Sequence, residues 1–184
     1  ELSVTLNRAG KTLVTATHDL GIVDELASRV LVLGEDHRLV AQGTEAGGHT
    51  GQIAGLALIP QIVDAVSIPV LAAGSIVDGR GLAAALALGA QGVWMGTRFI
   101  ASNEARAAHL FKQRIVEAEG GDTVVTRCYS GKPMRVIRNP YVDDWERRPQ
   151  DILPFPQQAM QSARDGVTAT LAGLPAAQRS ANAF

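Results

Sequence analysis

The sequence predicts an α/β fold in which strands and helices alternate, and three observations lead there. Aliphatic and β-branched runs of strand length recur at Lys11–Thr17, Arg29–Leu33, Arg38–Gln42, Pro69–Ala73 and Gln91–Met95. The stretches between the later runs carry helix start and stop signals. Two of those strands, Ala72-Ala73-Gly74-Ser75 and Trp94-Met95-Gly96-Thr97, end on glycine, as strands do when they feed a tight turn into a helix.

In chain order, Leu2–Asn7 reads as the end of a helix closed by Ala9-Gly10. After the Lys11–Thr17 strand come His18 and Asp19, with Asp19 as N-cap for a helix over Leu20–Ala27. Arg29–Leu33 and Arg38–Gln42 are strands joined by the turn Gly34–His37. A helix is expected around Leu58–Val66, with Pro60 tolerated in its first turn. Pro69–Ala73 is a strand, Asp78 caps a helix over Gly79–Leu88, and Gly89 ends it. Gln91–Met95 is the next strand. A helix over Glu104–Glu119 follows, with an apolar face at Ala108, Phe111, Ile115 and Ala118. From Gly120 the pattern breaks. Val124–Cys128 and Arg135–Ile137 are strand-like, while Pro133, Pro140, Pro149, Pro154 and Pro156 argue for an irregular arm. Gln157–Leu171 reads as a last helix and Pro175–Phe184 as a frayed end.

Composition narrows the function. With 46% hydrophobic and 19% charged residues among 184, the chain is a globular domain of ordinary size. It is shorter than a complete (β/α)₈ barrel, typically ~250 residues. A net charge of -1 offers no basic surface for nucleic acid. Cys128 is the single cysteine, so no internal disulfide forms and a reducing, cytoplasmic setting is expected. No stretch approaches the ~20 apolar residues of a membrane span. The start, Glu1-Leu2-Ser3-Val4, is neither a signal peptide nor an initiator methionine, so the chain is expected to begin inside something larger.

The chemistry concentrates in Ala41–Gln52, A-Q-G-T-E-A-G-G-H-T-G-Q. Its glycines let a ligand approach the backbone, and among them stands His49, a residue type suited to proton transfer near neutral pH. Alone, such a loop reads as an ordinary surface turn. The glycines at Gly74 and Gly96 add to it, because unpaired N–H groups at a helix start attract anions and a missing side chain leaves access. Thr97 adds a hydroxyl donor. One such turn is explained by local geometry alone. Two, a single βα unit apart, favour phosphate.

These motifs resemble the nitronate monooxygenase (2-nitropropane dioxygenase) family of flavin enzymes on a TIM barrel. The resemblance rests on A-Q-G-T-E-A-G-G-H-T-G, I-P-V-L-A-A-G-S-I-V-D-G-R-G and L-G-A-Q-G-V-W-M-G-T-R-F, and extends through G-K-P-M-R and N-P-Y-V-D-D-W. It implies a partial TIM (β/α)₈ barrel, its C-terminal strands only, with FMN as cofactor and no metal. It implies His49 as the catalytic acid/base. It implies that Gln42, Gly47, Gly74, Ser75, Trp94, Met95, Gly96 and Thr97 contact FMN. Ser75 departs from the family, which usually has glycine there, and its side chain either donates a hydrogen bond or crowds the site. The implied substrates are a nitronate or nitroalkane and oxygen.

Residues 1–43 instead resemble the C-terminal part of an ABC transporter ATPase domain, through L-N-R-A-G-K-T-L-V-T-A-T-H-D-L and R-V-L-V-L-G-E-D. There His18 would be the switch histidine. The phosphate-binding G-x-x-x-x-G-K-[ST] loop, the signature loop and the catalytic carboxylate are all missing, so no ATPase activity is expected. The chain thus reads as a chimera joined near Leu39–Thr44, with 1–43 one segment and 44–184 the second half of an FMN-binding barrel with its Pro-rich arm. The leading function implied by the resemblance is an FMN-dependent nitronate monooxygenase; the alternatives are a flavin-dependent enoyl-ACP reductase and, of another class, a non-catalytic fragment or ATPase-derived interaction piece. A half-barrel is also expected to self-associate through open strand edges.

Overall fold

Alternating small and branched apolar residues build the first sheet. The computed structural model describes residues 30–33 and 38–167. The expectations for residues 1–29, 34–37 and 168–184, His18 among them, lie outside the described residues. β1 (Val30–Leu33) and β2 (Arg38–Gln42) pair antiparallel, Val30 opposite Ala41 and Leu33 opposite Arg38. A brief extended piece, β3 (Gly48–His49), lies in the glycine-rich loop. Helix α1 (Gly55–Ala65) leads to β4 (Val70–Ala73), and α2 (Gly79–Ala87) leads to β5 (Gly92–Trp94). β2, β4 and β5 run parallel, in the sheet order β1-β2-β4-β5.

Side chains on one face of this sheet, Leu39, Ala41, Val70 and Ala72, pack with Leu58, Ile59 and Ile62 of α1 and with Ala85 of α2. The helical spacing of 58, 59 and 62 puts one stripe of α1 on the sheet. Burying each such aliphatic side chain contributes about 1.5–3 kcal/mol. Leu58→Ala would therefore break the unit at its centre.

The α2 helix starts as its sequence predicts. Asp78 accepts from the N–H groups of Arg80 (2.9 Å) and Gly81 (3.3 Å). Arg80 beside it and these N–H groups hold the Asp78 carboxyl below its usual range. The α1 start departs from expectation. It opens at Gly55, not near Leu58, so Pro60 lies inside the helix. Proline brings no N–H, so the carbonyl of Leu56 loses a helical partner. Leu56 faces solvent at 74% exposure, where water can serve that carbonyl.

The described residues up to Met95 form one compact unit and those from Gly96 a second. In the second, a short helix α3 (Thr97–Ile100) comes first, and the helix expected over 104–119 is observed over its later part as α4 (His109–Glu117). Lys112 Nζ donates to the carbonyls of Ser102 (2.7 Å) and Asn103 (3.3 Å), fastening the non-helical stretch between them. β6 (Thr123–Thr126) and β7 (Met134–Ile137) form an antiparallel pair. Then come α5 (Pro140–Glu146) and α6 (Gln157–Arg164).

The Pro-rich region is not an irregular arm. Pro140 and Pro149 stand at the starts of helical turns, where a missing N–H costs nothing. Cys128, Tyr141, Val142, Trp145 and Val167 make a core of their own. Within it, Gln158 is fully buried; its amide donates to the Cys128 carbonyl (2.6 Å) and its oxygen accepts from Leu153 N–H (3.0 Å). Ser162, also fully buried, places its hydroxyl 2.7 Å from the Tyr129 carbonyl, and the Tyr141 hydroxyl donates to the Asp165 carboxylate at 3.0 Å.

Candidate active site

Parallel strands present their C-terminal ends along one edge, and the register aligns them here. Gln42 stands opposite Ala73, and Ala73 opposite Trp94. Residues after these positions therefore leave the sheet side by side. The edge carries Gln42 on β2, Gly74 and Ser75 after β4, and Trp94 and Met95 at the end of β5.

The loop after β2 is held by its own polar groups. Gly43 N–H donates to the Ala73 carbonyl (3.0 Å), and Thr44 N–H to the Ile53 carbonyl (2.9 Å). The buried Thr50 hydroxyl donates to the Gly43 carbonyl (3.1 Å). Gln42, expected at the cofactor, spends its amide on the backbone carbonyl of His49 at 2.6 Å. His49 is half-buried, with its backbone fixed by that bond. Gly47 is exposed in the same loop.

The turn after β4 lies against this loop. A side chain at Gly74 would come within 3.2 Å of Ala46 N, and Gly74 has φ +111°. The positive φ calls for glycine, and the tight contact adds to that preference. Ser75 follows at φ +51°, the left-handed region that costs a residue with a Cβ roughly 1–2 kcal/mol. Among the described residues no backbone carbonyl receives the Ser75 N–H. Its hydroxyl leans toward the Glu45 carbonyl at a long 3.4 Å. Asp78 already takes the Arg80 and Gly81 N–H groups at the start of α2, which leaves the turn's own backbone as the main donor to an anion here.

In the second unit, Gly96 and Thr97 open α3. Gly96 has φ -107°, a conformation open to any residue, and a Cβ there would meet nothing within 4 Å. Neither strain nor packing calls for glycine at this position. Open space at a strand end suits the approach of a ligand. A cleft of about 290 Å³ in this unit, lined by Arg114, Glu117, Asp122 and Arg138 among others, includes none of the predicted site residues. Among the described residues no His, Cys, Asp and Glu cluster could hold a metal.

Sequence reasoning missed Glu45. Both of its carboxylate oxygens accept from Gly55 N–H, at 3.0 and 2.9 Å, so it caps α1 from ten residues upstream. Ala54, the local N-cap, offers no side-chain bond. The signal was present but non-local. Gly43 is glycine because its Cβ would collide with Glu45 Oε2 and come within 2.5 Å of Gly55 N.

The chain is similar to several known proteins. A Mycobacterium tuberculosis (strain ATCC 25618 / H37Rv) protein described as a monooxygenase is 50% identical over 123 residues, covering 66% of this chain and 33% of that protein. A Staphylococcus aureus (strain JH9) protein described as a nitronate monooxygenase is 45% identical over 130 residues, covering 65% of this chain and 37% of that one. Among solved structures, FabK from Thermotoga maritima superposes with a TM-score of 0.66 at 37% identity, over 91% of this chain and 50% of its own. A nitroalkane oxidase from Streptomyces ansochromogenes gives 0.65 at 33% identity, over 74% and 42%. The chain thus spans about a third of the length of these curated relatives. The profile of nitronate monooxygenase matches residues 6–181, most of the ATPase-like segment included, and the chain belongs to the nitronate monooxygenase family.

Proposed function

We propose that the chain is the C-terminal part of an FMN-dependent nitronate monooxygenase, an oxidoreductase that converts nitronates or nitroalkanes and oxygen to a carbonyl compound and nitrite. The observation that carries the reading is the His49 loop: a proton-transfer residue whose backbone is pinned at the C-terminal edge of three parallel strands. That edge is where (β/α)₈ enzymes keep their chemistry. β2, β4 and β5 are accordingly assigned to a partial TIM barrel, with the segment boundary near residue 43.

Bound FMN would supply the electron transfer from substrate to oxygen. The chain's own residues hold and orient. The Ser75 N–H and the open turn at Gly74–Ser75 are assigned to the FMN phosphate, with Gly96 and Thr97 as further donors and Gly47, Trp94 and Met95 lining the cofactor. Gln42 acts chiefly through His49, since its amide is committed to that carbonyl. With a nitroalkane, an imidazole nitrogen of His49 takes the proton from the carbon that bears the nitro group.

The likeness to FabK keeps a second reading in view, a flavin-dependent enoyl-ACP reductase. Oxygen uptake with nitrite release, against NAD(P)H oxidation by an enoyl thioester, separates the two. A chain extended to the length of its relatives is expected to purify yellow and to release nitrite. The 184-residue chain alone should be nearly colourless, because association must first offset ~4–15 kcal/mol of lost freedom. Absorbance in the flavin band and an oxygen electrode read both. Tight, stoichiometric FMN on the short chain would overturn the partial-barrel assignment. Gly96→Val offers a narrower check: flavin affinity should fall with no change in melting temperature. Equal affinity would remove that turn from the phosphate site.

A further inference from the structure

We infer that Glu45 is a positioning residue that holds the His49 loop and the Gly74–Ser75 turn in one arrangement with the start of α1, an inference that rests on the role proposed for that loop and turn. Three contacts meet at this residue. Its carboxylate takes the Gly55 N–H with both oxygens. Its backbone carbonyl lies 3.4 Å from the Ser75 hydroxyl, a weak main-chain contact that depends on where the loop is held and not on the side chain at 45. Its Oε2 fills the space that a side chain at Gly43 would need. Gly43 in turn bonds onward to Ala73, Ala46 and Thr50. The negative charge sits at the positive end of α1, where a helix N-terminus favours it. An anchored helix of the core thus adds a further fixed point to a glycine-rich loop that Gly43, Thr44 and Thr50 already tie to the sheet and to itself.

A plain helix cap would make a different prediction. Loss of a cap frays the first turn of α1 and stops there. Loss of a positioning residue loosens the loop and the facing turn as well. Amide hydrogen exchange of the full 184-residue chain distinguishes them without cofactor or activity. In Glu45→Ala, exchange should rise about tenfold or more at Gly55 and also at Gly43, Thr44 and Ala46, whose N–H groups are bonded to Ala73, Ile53 and Gly43, with protection in α6 unchanged. A rise confined to residues 55–58 would overturn the inference. If Glu45→Ala does not fold, Glu45→Gln decides. It keeps one oxygen for Gly55 and loses the charge, so a smaller rise over the same residues supports positioning, and parental exchange at Gly43, Thr44 and Ala46 overturns it.

In a flavin-binding longer chain, Glu45→Ala should also weaken FMN and lower turnover at saturating FMN. Unchanged flavin affinity and turnover there would overturn the inference. A longer parent chain that binds no flavin would instead sink the proposed function, and the exchange experiment would still judge Glu45.

Discussion

The two units satisfy their polar groups by opposite means. In the first, an aliphatic core of Leu, Ile, Val and Ala lies under the sheet, and the polar work is done at the strand ends by backbone groups, short side chains and one carboxylate. In the second, polar side chains enter the core: Gln158 and Ser162 are fully buried, and Tyr141 reaches Asp165 from a core position. A site that must admit a ligand keeps its side chains few and its backbone available. A small unit without a deep aliphatic core draws on side-chain hydrogen bonds, each worth about 0.5–1.5 kcal/mol net but costly to break. Substitutions at the first edge should therefore change function more than stability, and those in the second core the reverse.

The largest expected effect tests the functional half. His49→Asn, in a longer chain that turns over, should lower nitroalkane oxidation ~10²–10⁴-fold with FMN affinity little changed. Simultaneous loss of flavin and activity would make His49 structural and dissolve the contrast. Gln158→Leu tests the other half. It strands the Leu153 N–H, which costs ~1–3 kcal/mol when left unsatisfied in the interior, and takes one donor from the Cys128 carbonyl, which keeps the Ser162 hydroxyl at 3.1 Å. The urea midpoint should drop by an amount reflecting both, and an unchanged midpoint would show that water replaces the amide.

A pH series sharpens the same point. Burial raises the Cys128 thiol from its ordinary 9.0 to about 11, and burial raises the Tyr141 hydroxyl from 10.0 to about 12, with Ser162 opposing. Both groups are neutral when protonated, and both are raised in the folded state. Their contribution is therefore complete below pH 9 and 10 respectively, and is lost as pH rises through the folded values. Unfolding midpoints should fall from about pH 9 upward, and Cys128→Ala should flatten the first part of the fall. A slope unaffected by that variant would place the titrating group elsewhere.

The smallest effect is expected at Ser75. Ser75→Gly relieves the left-handed backbone but adds freedom to the unfolded chain, so stability should rise by no more than ~1 kcal/mol. The exposed hydroxyl contact at 3.4 Å contributes little. A lower melting temperature in Ser75→Gly would mean that this contact outweighs the strain.

What could be read from residues alone followed how local the cause was. The strands at 30–33, 38–42, 70–73 and 92–94 were legible because their runs are apolar and β-branched, and α2 was legible because Asp78 caps it from the adjacent position. The start of α1 was not, since its cap comes from Glu45. The second core was hidden because glutamine, serine and proline read as surface and loop until their partners are known. In the candidate site, the need for glycine at 74 was visible as a pattern. The left-handed Ser75 and the commitment of Gln42 to the His49 carbonyl were not, because both are properties of packed backbone.

The interlock of Gly43, Glu45 and Gly55 constrains how this loop can be exchanged. A side chain at 43 would collide with the Glu45 carboxylate and also with the backbone of Gly55, within 2.5 Å of its N and 2.7 Å of its Cα, so moving the carboxylate alone does not make room. Glycine at 43 is fixed by the start of α1 as well as by Glu45, whichever of the two is changed first. For a protein engineer the loop is a cassette whose borders run from Gly43 to Gly55, and cutting it at His49 would divide a single mechanical part.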